Sequence, residues 1–182
     1  MTSLTITEGL AELKTIQKRI QKKVEYIGAY LMRHDAMRDP LERDGGSVEV
    51  IRRERQAMND LEKRHVAIRL AIQQANHKTP VTVEGETKLL AEWLTWRKEV
   101  APGQQGFLKS IRQTIDQTRQ KALQKGAVVL QAGGTDARPQ DVIVHVDEAT
   151  IAKEIERLEM VLGGLDGQLS LKNATVLIVI PD

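Results

Sequence analysis

The chain has 182 residues, 29% of them charged, with a formal charge of +2 and no cysteine. That length suits one ordinary domain with a real core, and the lack of cysteine excludes disulfide and thiolate chemistry while leaving the compartment open. Aromatic residues make up only 3%, too few for the aromatic-rich interior of a thick globular core, so Leu, Ile, Val and Ala must be buried along narrow helical seams. Charge is uneven, with 23 basic and 16 acidic residues in 1–125 against 4 and 9 in 126–182. This invites head-to-tail contact between copies, although solvated faces of separate elements account for it more simply.

In chain order, Thr5-Ile6-Thr7-Glu8 reads as a capping box and starts a helix from about Ile6 to about Arg33. Its predicted seam is Ile6, Leu10, Leu13, Gln17, Ile20, Val24, Ile27, Leu31. Five basic residues, Lys14, Lys18, Arg19, Lys22 and Lys23, fall in this helix with no acid among them. Such a run would suit phosphate or an acidic partner, but no aromatic is interleaved to stack bases, and a solvated outer face outranks it. Pro40 and Gly45-Gly46 break the pattern across Arg33–Ser47, and Ser47 reads as the cap of a second helix.

That second helix carries the strongest pattern in the chain: Ile51, Glu54, Met58, Leu61, His65, Ile68, Ile72, Ala75, spaced alternately by three and four. The two helices predict a long antiparallel hairpin with arms of about 28 residues, or roughly 42 Å, and 33–47 as its tip. Gln17 and His65 interrupt their seams at similar distances from the tip and are expected to form a register-setting polar layer. The tip is longer than most helix–helix connections and densely charged. Arg33, His34, Asp35, Arg38, Asp39, Arg43 and Asp44 are its candidate contact residues.

Asn76 and Pro80 end the second helix. Val81 to Val83 reads as a short extended piece, and Gly85-Glu86-Thr87 as a turn into a third helix to about Val100, ended by Ala101-Pro102-Gly103. Trp93 and Trp96 both lie on it, as anchors across the hairpin or as a docking patch. A fourth helix is expected over about 104–125, with Phe107 or Leu108, Ile111, Ile115, Thr118 and Ala122 inward. Strands are expected at Ala127–Gln131 and Asp141–Val146, separated by a turn over 132–140. Asp147 then caps a helix with the seam Ile151, Ile155, Leu158, Leu162, Leu165, Leu169. Gly163, Gly164 and Gly167 fall inside it, where each costs roughly 1 kcal/mol against Ala unless another segment packs close. Val176, Leu177, Ile178, Val179 and Ile180 form a continuous apolar run. It predicts a strand buried on both faces, paired with the two preceding strands in a sheet of three and pressed against a neighbouring subunit. The fold class is therefore mainly α, a coiled-coil-like hairpin with two or more further helices and a small β-sheet towards the C-terminus (α+β). Its parts are a helical body at 1–125 and a strand–helix–strand part at 126–182, folding as one.

No Gly-rich phosphate loop, His-x-x-x-His pair or serine elbow is present. His34 with Asp35 and Asp39 matches no cation-loop spacing, and Gly133-Gly134 lacks the strand-to-helix context of a nucleotide loop. No catalytic, cofactor-binding or metal-ligating residue is assigned, and no enzyme is expected.

Asn76, Thr79, Val81, Val83, Gly85, Thr87 and Leu89 resemble the middle turn of a septicolysin-like family of small helical-hairpin proteins. Val146-Asp147, the Leu/Ile-seamed helix and Asn173 with Thr175 resemble its closing part. The resemblance implies a helical hairpin, then a middle helix and a strand. The longer tip and the apolar run at 176–180 depart from it. The texture also looks like that of bacteriophage virion structural proteins, an analogy of fold. Three functions are weighed. The first is a non-enzymatic structural protein of a virion or other assembly, packing as a homo-oligomer or against other virion proteins. The second is a membrane-active protein of the septicolysin-like kind, opposed by polar outer helix faces and the absence of any run of roughly 20 apolar residues. The third is a nucleic-acid-binding module using the Lys14–Lys23 face, opposed by the scarce aromatics. No basic-then-apolar signal opens the sequence, so synthesis in the cytoplasm is expected, with a virion as destination under the first reading.

Overall fold

A computed structural model describes residues 2–132 and 138–181. The Gly133-Gly134 turn lies outside these residues. The chain is mainly α with small β parts, and it divides into two compact units, Met1–Thr79 with Ser170–Asp182, and Pro80–Leu169. The divisions fall at 79/80 and 169/170, not at 125/126 as the change in texture suggested.

In the first unit, strand β1 (Thr2–Thr5) runs directly into helix α1 (Ile6–Tyr30). The capping box forms: the Thr5 N–H donates to the Glu8 carboxylate at 2.7 Å, and the Glu8 N–H donates to Thr5 Oγ1 at 3.2 Å. Helix α2 (Ser47–Asn76) returns antiparallel to α1. Two cross-helix ion pairs fix the register, Lys23–Glu54 at 2.6 Å and Arg64–Glu12 at 2.9 Å; their residue numbers add to 77 and 76, as in an antiparallel pair.

The α2 heptad faces inward as predicted, with every seam residue from Ile51 to Ala75 buried or half-buried. The α1 seam does not. It runs Ile6, Gly9, Leu13, Ile16, Ile20, Lys23, Ile27, Tyr30, while Leu10, Gln17, Val24 and Leu31 are exposed. Both phases alternate threes and fours. The observed one buries Ile16 in place of an amide, and it puts Gly9 where another chain segment crosses.

That segment is strand β6 (Leu177–Ile180), antiparallel to β1 with Thr2 opposite Ile180 and Leu4 opposite Ile178. A Cβ on Gly9 would lie 2.8 Å from Ile178 Cδ1 and 3.4 Å from Ile72 Cδ1. At this close approach of the ribbon to the hairpin, a Cβ would fit only if the buried Ile178 side chain shifted.

In the second unit, β2 (Pro80–Val83) and β3 (Glu86–Leu89) form a hairpin. Glu84 and Gly85 turn it with φ of 49° and 79°, both in the left-handed region that tight two-residue hairpins require. Residues 86–89 were expected to lead into a helix and are a strand instead. Helix α3 (Leu90–Thr95) follows, with the Glu92 carboxylate accepting the Leu89 N–H at 2.7 Å. A π-helical turn, Trp96–Val100, joins it to α4 (Ala101–Gln124). The predicted break at Ala101-Pro102-Gly103 does not occur. The wider π turn absorbs the missing N–H and ring of Pro102 at the first turn of α4, where proline is tolerated. Leu108, Ile115 and Ala122 are buried along α4, and Phe107 is exposed.

Strands β4 (Val129–Gln131) and β5 (Val142–Val144) pair parallel with each other. Asp141 braces them, accepting the Arg138 N–H at 3.0 Å and the Val128 N–H at 3.1 Å. Helix α5 (Glu148–Thr175) continues past Leu169 into the first unit. Asp147 caps it through the Thr150 hydroxyl at 2.6 Å and the Ala149 N–H at 3.1 Å. Leu158, Leu165 and Leu169 are buried along its predicted seam. The expected sheet of three strands is not formed: β6 pairs with β1, and β4 and β5 pair only with each other among the described residues. Pairing β6 with β1 brings together chain ends that the local pattern had no means of linking.

Candidate assembly surfaces

The hairpin tip is held closed by its own polar groups. The Arg33 guanidinium donates to the carbonyls of Met37 at 2.7 Å, Asp35 at 3.3 Å and His34 at 3.4 Å. Arg38 pairs with Glu42, and Arg53 donates to the Asp44 carbonyl at 2.7 Å. The Asp39 carboxylate accepts the Ser47 hydroxyl at 2.5 Å, the Ser47 N–H at 2.8 Å and the Leu41 N–H at 2.9 Å. These hydrogen bonds, the Ser47 hydroxyl first, hold its carboxyl below the usual aspartate range. Ser47 was expected to cap α2 itself; it is the first helical residue, and Asp39 supplies the cap from eight residues upstream. His34, Asp35, Arg43 and the apolar Leu31, Met32, Met37 and Val48 are exposed.

Gln17 and His65 do not form a layer. Gln17 is exposed, and the hairpin register sets it against residues near 60, while His65 lies against residues near 12. His65 is half-buried, and its Nε2 finds no partner among the described residues. The polar layer of the seam is instead the half-buried pair Lys23–Glu54. Glu54 was visible in the heptad; Lys23 was masked by the neighbouring apolar Val24, which kept the wrong phase plausible.

Trp93 is buried and donates its indole N–H to the Val81 carbonyl at 3.0 Å, so it anchors α3 on its own hairpin, β2–β3. Trp96 packs edge-on against it at 5.5 Å, and Lys88 Nζ lies 4.6 Å from the Trp93 ring centre. These groups line a cleft of about 470 Å³ with Phe107, Leu158 and Val161.

The surface at β6 is different in kind. Ile178 and Ile180 are 2% and 0% exposed, whereas Leu177 and Val179 are 64% and 59% exposed. The strand was expected to be buried on both faces, and it is buried on one. Val176 is half-buried at the end of α5. Beside β6 runs a groove of about 810 Å³, lined by Asn59, Lys63, Val66 and Leu70 of α2 and by Val179 and Pro181. Val66 and Leu70 are themselves more than half exposed. Aliphatic side chains from a strand and a helix therefore meet on one open surface, the pattern that marks an interaction site.

Among the described residues, no group of three or more His, Asp or Glu is placed to hold a metal ion, and no helix is long and apolar enough to cross a membrane. Comparisons with protein-family models, curated proteins and solved structures return no match.

Proposed function

We propose that this chain is a non-enzymatic structural protein that works by packing into a larger assembly, with a bacteriophage virion as the setting its helical texture suggests. The observation that carries this reading is the open aliphatic surface of Leu177, Val179, Val66 and Leu70. Leaving it in water forgoes roughly 25 cal/mol per Å² of apolar area, and nothing among the described residues of the first unit covers it. The test is size-exclusion chromatography with light scattering across a concentration series. A defined oligomer supports the reading, and a monomer at every concentration, alone and with candidate assembly partners, overturns it.

A second reading rests on the outer face of α1. Lys14, Lys18, Arg19 and Lys22 are exposed and make no ion pair among the described residues, while Lys23 turns inward to Glu54. Four free cations on one helix would engage phosphates in a salt-dependent manner. Binding of a duplex that weakens steeply with salt and is lost on replacing these four residues with Gln supports nucleic-acid binding; no binding at low salt removes it.

A further inference from the structure

The backbone of the β1–β6 ribbon specifies how its outer edge can be used. The Ile6 N–H donates to the Val176 carbonyl at 3.1 Å, so Ile6 and Val176 are a hydrogen-bonded pair of the antiparallel ladder. Such pairs recur every second residue, which makes Leu4–Ile178 and Thr2–Ile180 the next two in the observed register. The intervening residues have their backbone groups turned away from the partner strand. On β1 this is seen directly, since the Thr5 N–H goes to Glu8. On β6 the residues turned away are Leu177 and Val179, and neither makes a further backbone hydrogen bond among the described residues. The same two residues carry the exposed side chains. The free edge of β6 therefore combines unpaired N–H and C=O groups with aliphatic side chains. It carries no charge, bulge or proline within the strand to block pairing, which are the usual protections of an edge.

This edge is complementary to itself. In an antiparallel pairing centred on Ile178, Leu177 faces Val179 of a second copy and Val179 faces Leu177. Both are pairs in which each residue can exchange two hydrogen bonds. The four exposed aliphatic side chains then gather on one face of the joined sheet. The rotation that relates the copies places both hairpins on the opposite face. A two-stranded ribbon becomes a four-stranded sheet, past the three strands that give a sheet independent stability. A contact in which one patch meets its own image is the isologous arrangement of a twofold dimer.

Resting on the assembly reading above, we infer that the free edge of β6 is a homodimer interface, formed by antiparallel β6–β6 pairing centred on Ile178. The second copy is favoured over an unrelated strand because the free hydrogen-bonding positions and the exposed side chains, Leu177 and Val179, are both symmetric about Ile178.

The experiment uses the full chain. Val179→Pro removes an N–H that points away from β1, so the ribbon keeps its own bonds while the edge loses a donor. It is expected to convert the dimer, or the dimeric building block of a larger particle, to monomer mass with unchanged far-UV circular dichroism. Leu177→Lys, a charge on the same edge, is expected to do the same and serves if the proline variant does not fold. The double variant Leu177→Cys/Val179→Cys adds the only cysteines to the chain. Facing residues of a hydrogen-bonded pair stand about 5.5 Å apart at Cα, within disulfide reach, so mild oxidation should give a covalent dimer on a non-reducing gel. If the native chain assembles but all three variants assemble unchanged and no cross-link forms, this interface is overturned and the assembly reading stands. If the native chain alone is monomeric at every concentration, this interface is overturned, and the assembly reading falls with it only if candidate partners also leave the chain monomeric.

Discussion

Asp39 is the residue on which the hairpin tip closes. Its carboxylate gathers three donors from Leu41 and Ser47 and is held below its usual range by them. A group whose folded value is lowered contributes stability that is complete above the ordinary aspartate range, and this is lost as pH falls through the lowered value. Asp39→Asn should therefore be less stable than the parent at neutral pH, with the difference shrinking as both are acidified; thermal melts between neutral pH and pH ~3 check this. An unchanged difference across that range would mean that charge plays no part. The Lys23–Glu54 pair gives a second prediction. Glu54→Gln should lower stability by about 1 kcal/mol, as for a partly buried ion pair, while Gln17→Leu should leave the melting midpoint and oligomeric state nearly unchanged, because Gln17 faces water. Equal effects of the two changes in denaturant titrations would count against this placement. From the sequence, Asp39 was readable only as one charge among many, because its partner Ser47 lies across a loop whose path no local pattern specifies.

Elements with a long, unambiguous period were legible, and those whose identity depends on a distant partner were not. The α2 heptad and the α5 seam faced inward as written, since in each one phase gathers most of the large aliphatic residues, even with Glu54 and His65 in the α2 row. The α1 phase slipped by one step, because Leu10 and Val24 compete with Gly9 and Lys23, and only the ribbon above Gly9 decides between them. The π turn before Pro102 shows the converse: a local breaker was overridden by a helix that continues on both sides of it. The C-terminal apolar run was correctly a strand, but its partner β1 lies at the far end of the sequence, and four residues of Thr2–Thr5 carry too little pattern to announce themselves. Helix α5 offers an element-scale prediction. Among the described residues, a Cβ at Gly163 or Gly167 would meet no heavy atom within 4 Å, whereas at Gly164 it would lie 3.1 Å from Val83 Cγ1. Gly163→Ala and Gly167→Ala should each stabilise by up to ~1 kcal/mol through helix propensity, raising the melting midpoint by about 2–4 °C for a chain of this size. Gly164→Leu should lower it. If either open-face alanine destabilises, that face of α5 is covered in the working protein.

At the scale of the whole molecule, β6 has two tasks that different changes can separate. Its outward residues Leu177 and Val179 are free, while its inward residues Ile178 and Ile180 lie in the core of the first unit. Deleting Val176–Asp182 therefore does more than expose an edge. Losing each buried isoleucine costs ~2–5 kcal/mol, and β1 loses its partner as well. Together this approaches the ~5–15 kcal/mol that holds a typical domain folded. The truncated chain should lose cooperative structure in the unit formed by Met1–Thr79 and Ser170–Asp182, and it should do so even at concentrations where the native protein is monomeric. Both tryptophans lie in Pro80–Leu169, so their emission reports the second unit alone, while far-UV circular dichroism reports helices of both. The expected result is a large loss of helical signal from the hairpin with the tryptophan transition still present. Retention of full helical signal with only assembly lost would instead mean that the hairpin is stable without its ribbon and that β6 serves the interface alone. A coincident loss of both signals would mean that the continuous helix α5 ties the two units into one cooperative fold. Val179→Pro provides the control, because it leaves Ile178 and Ile180 in place and should spare both signals.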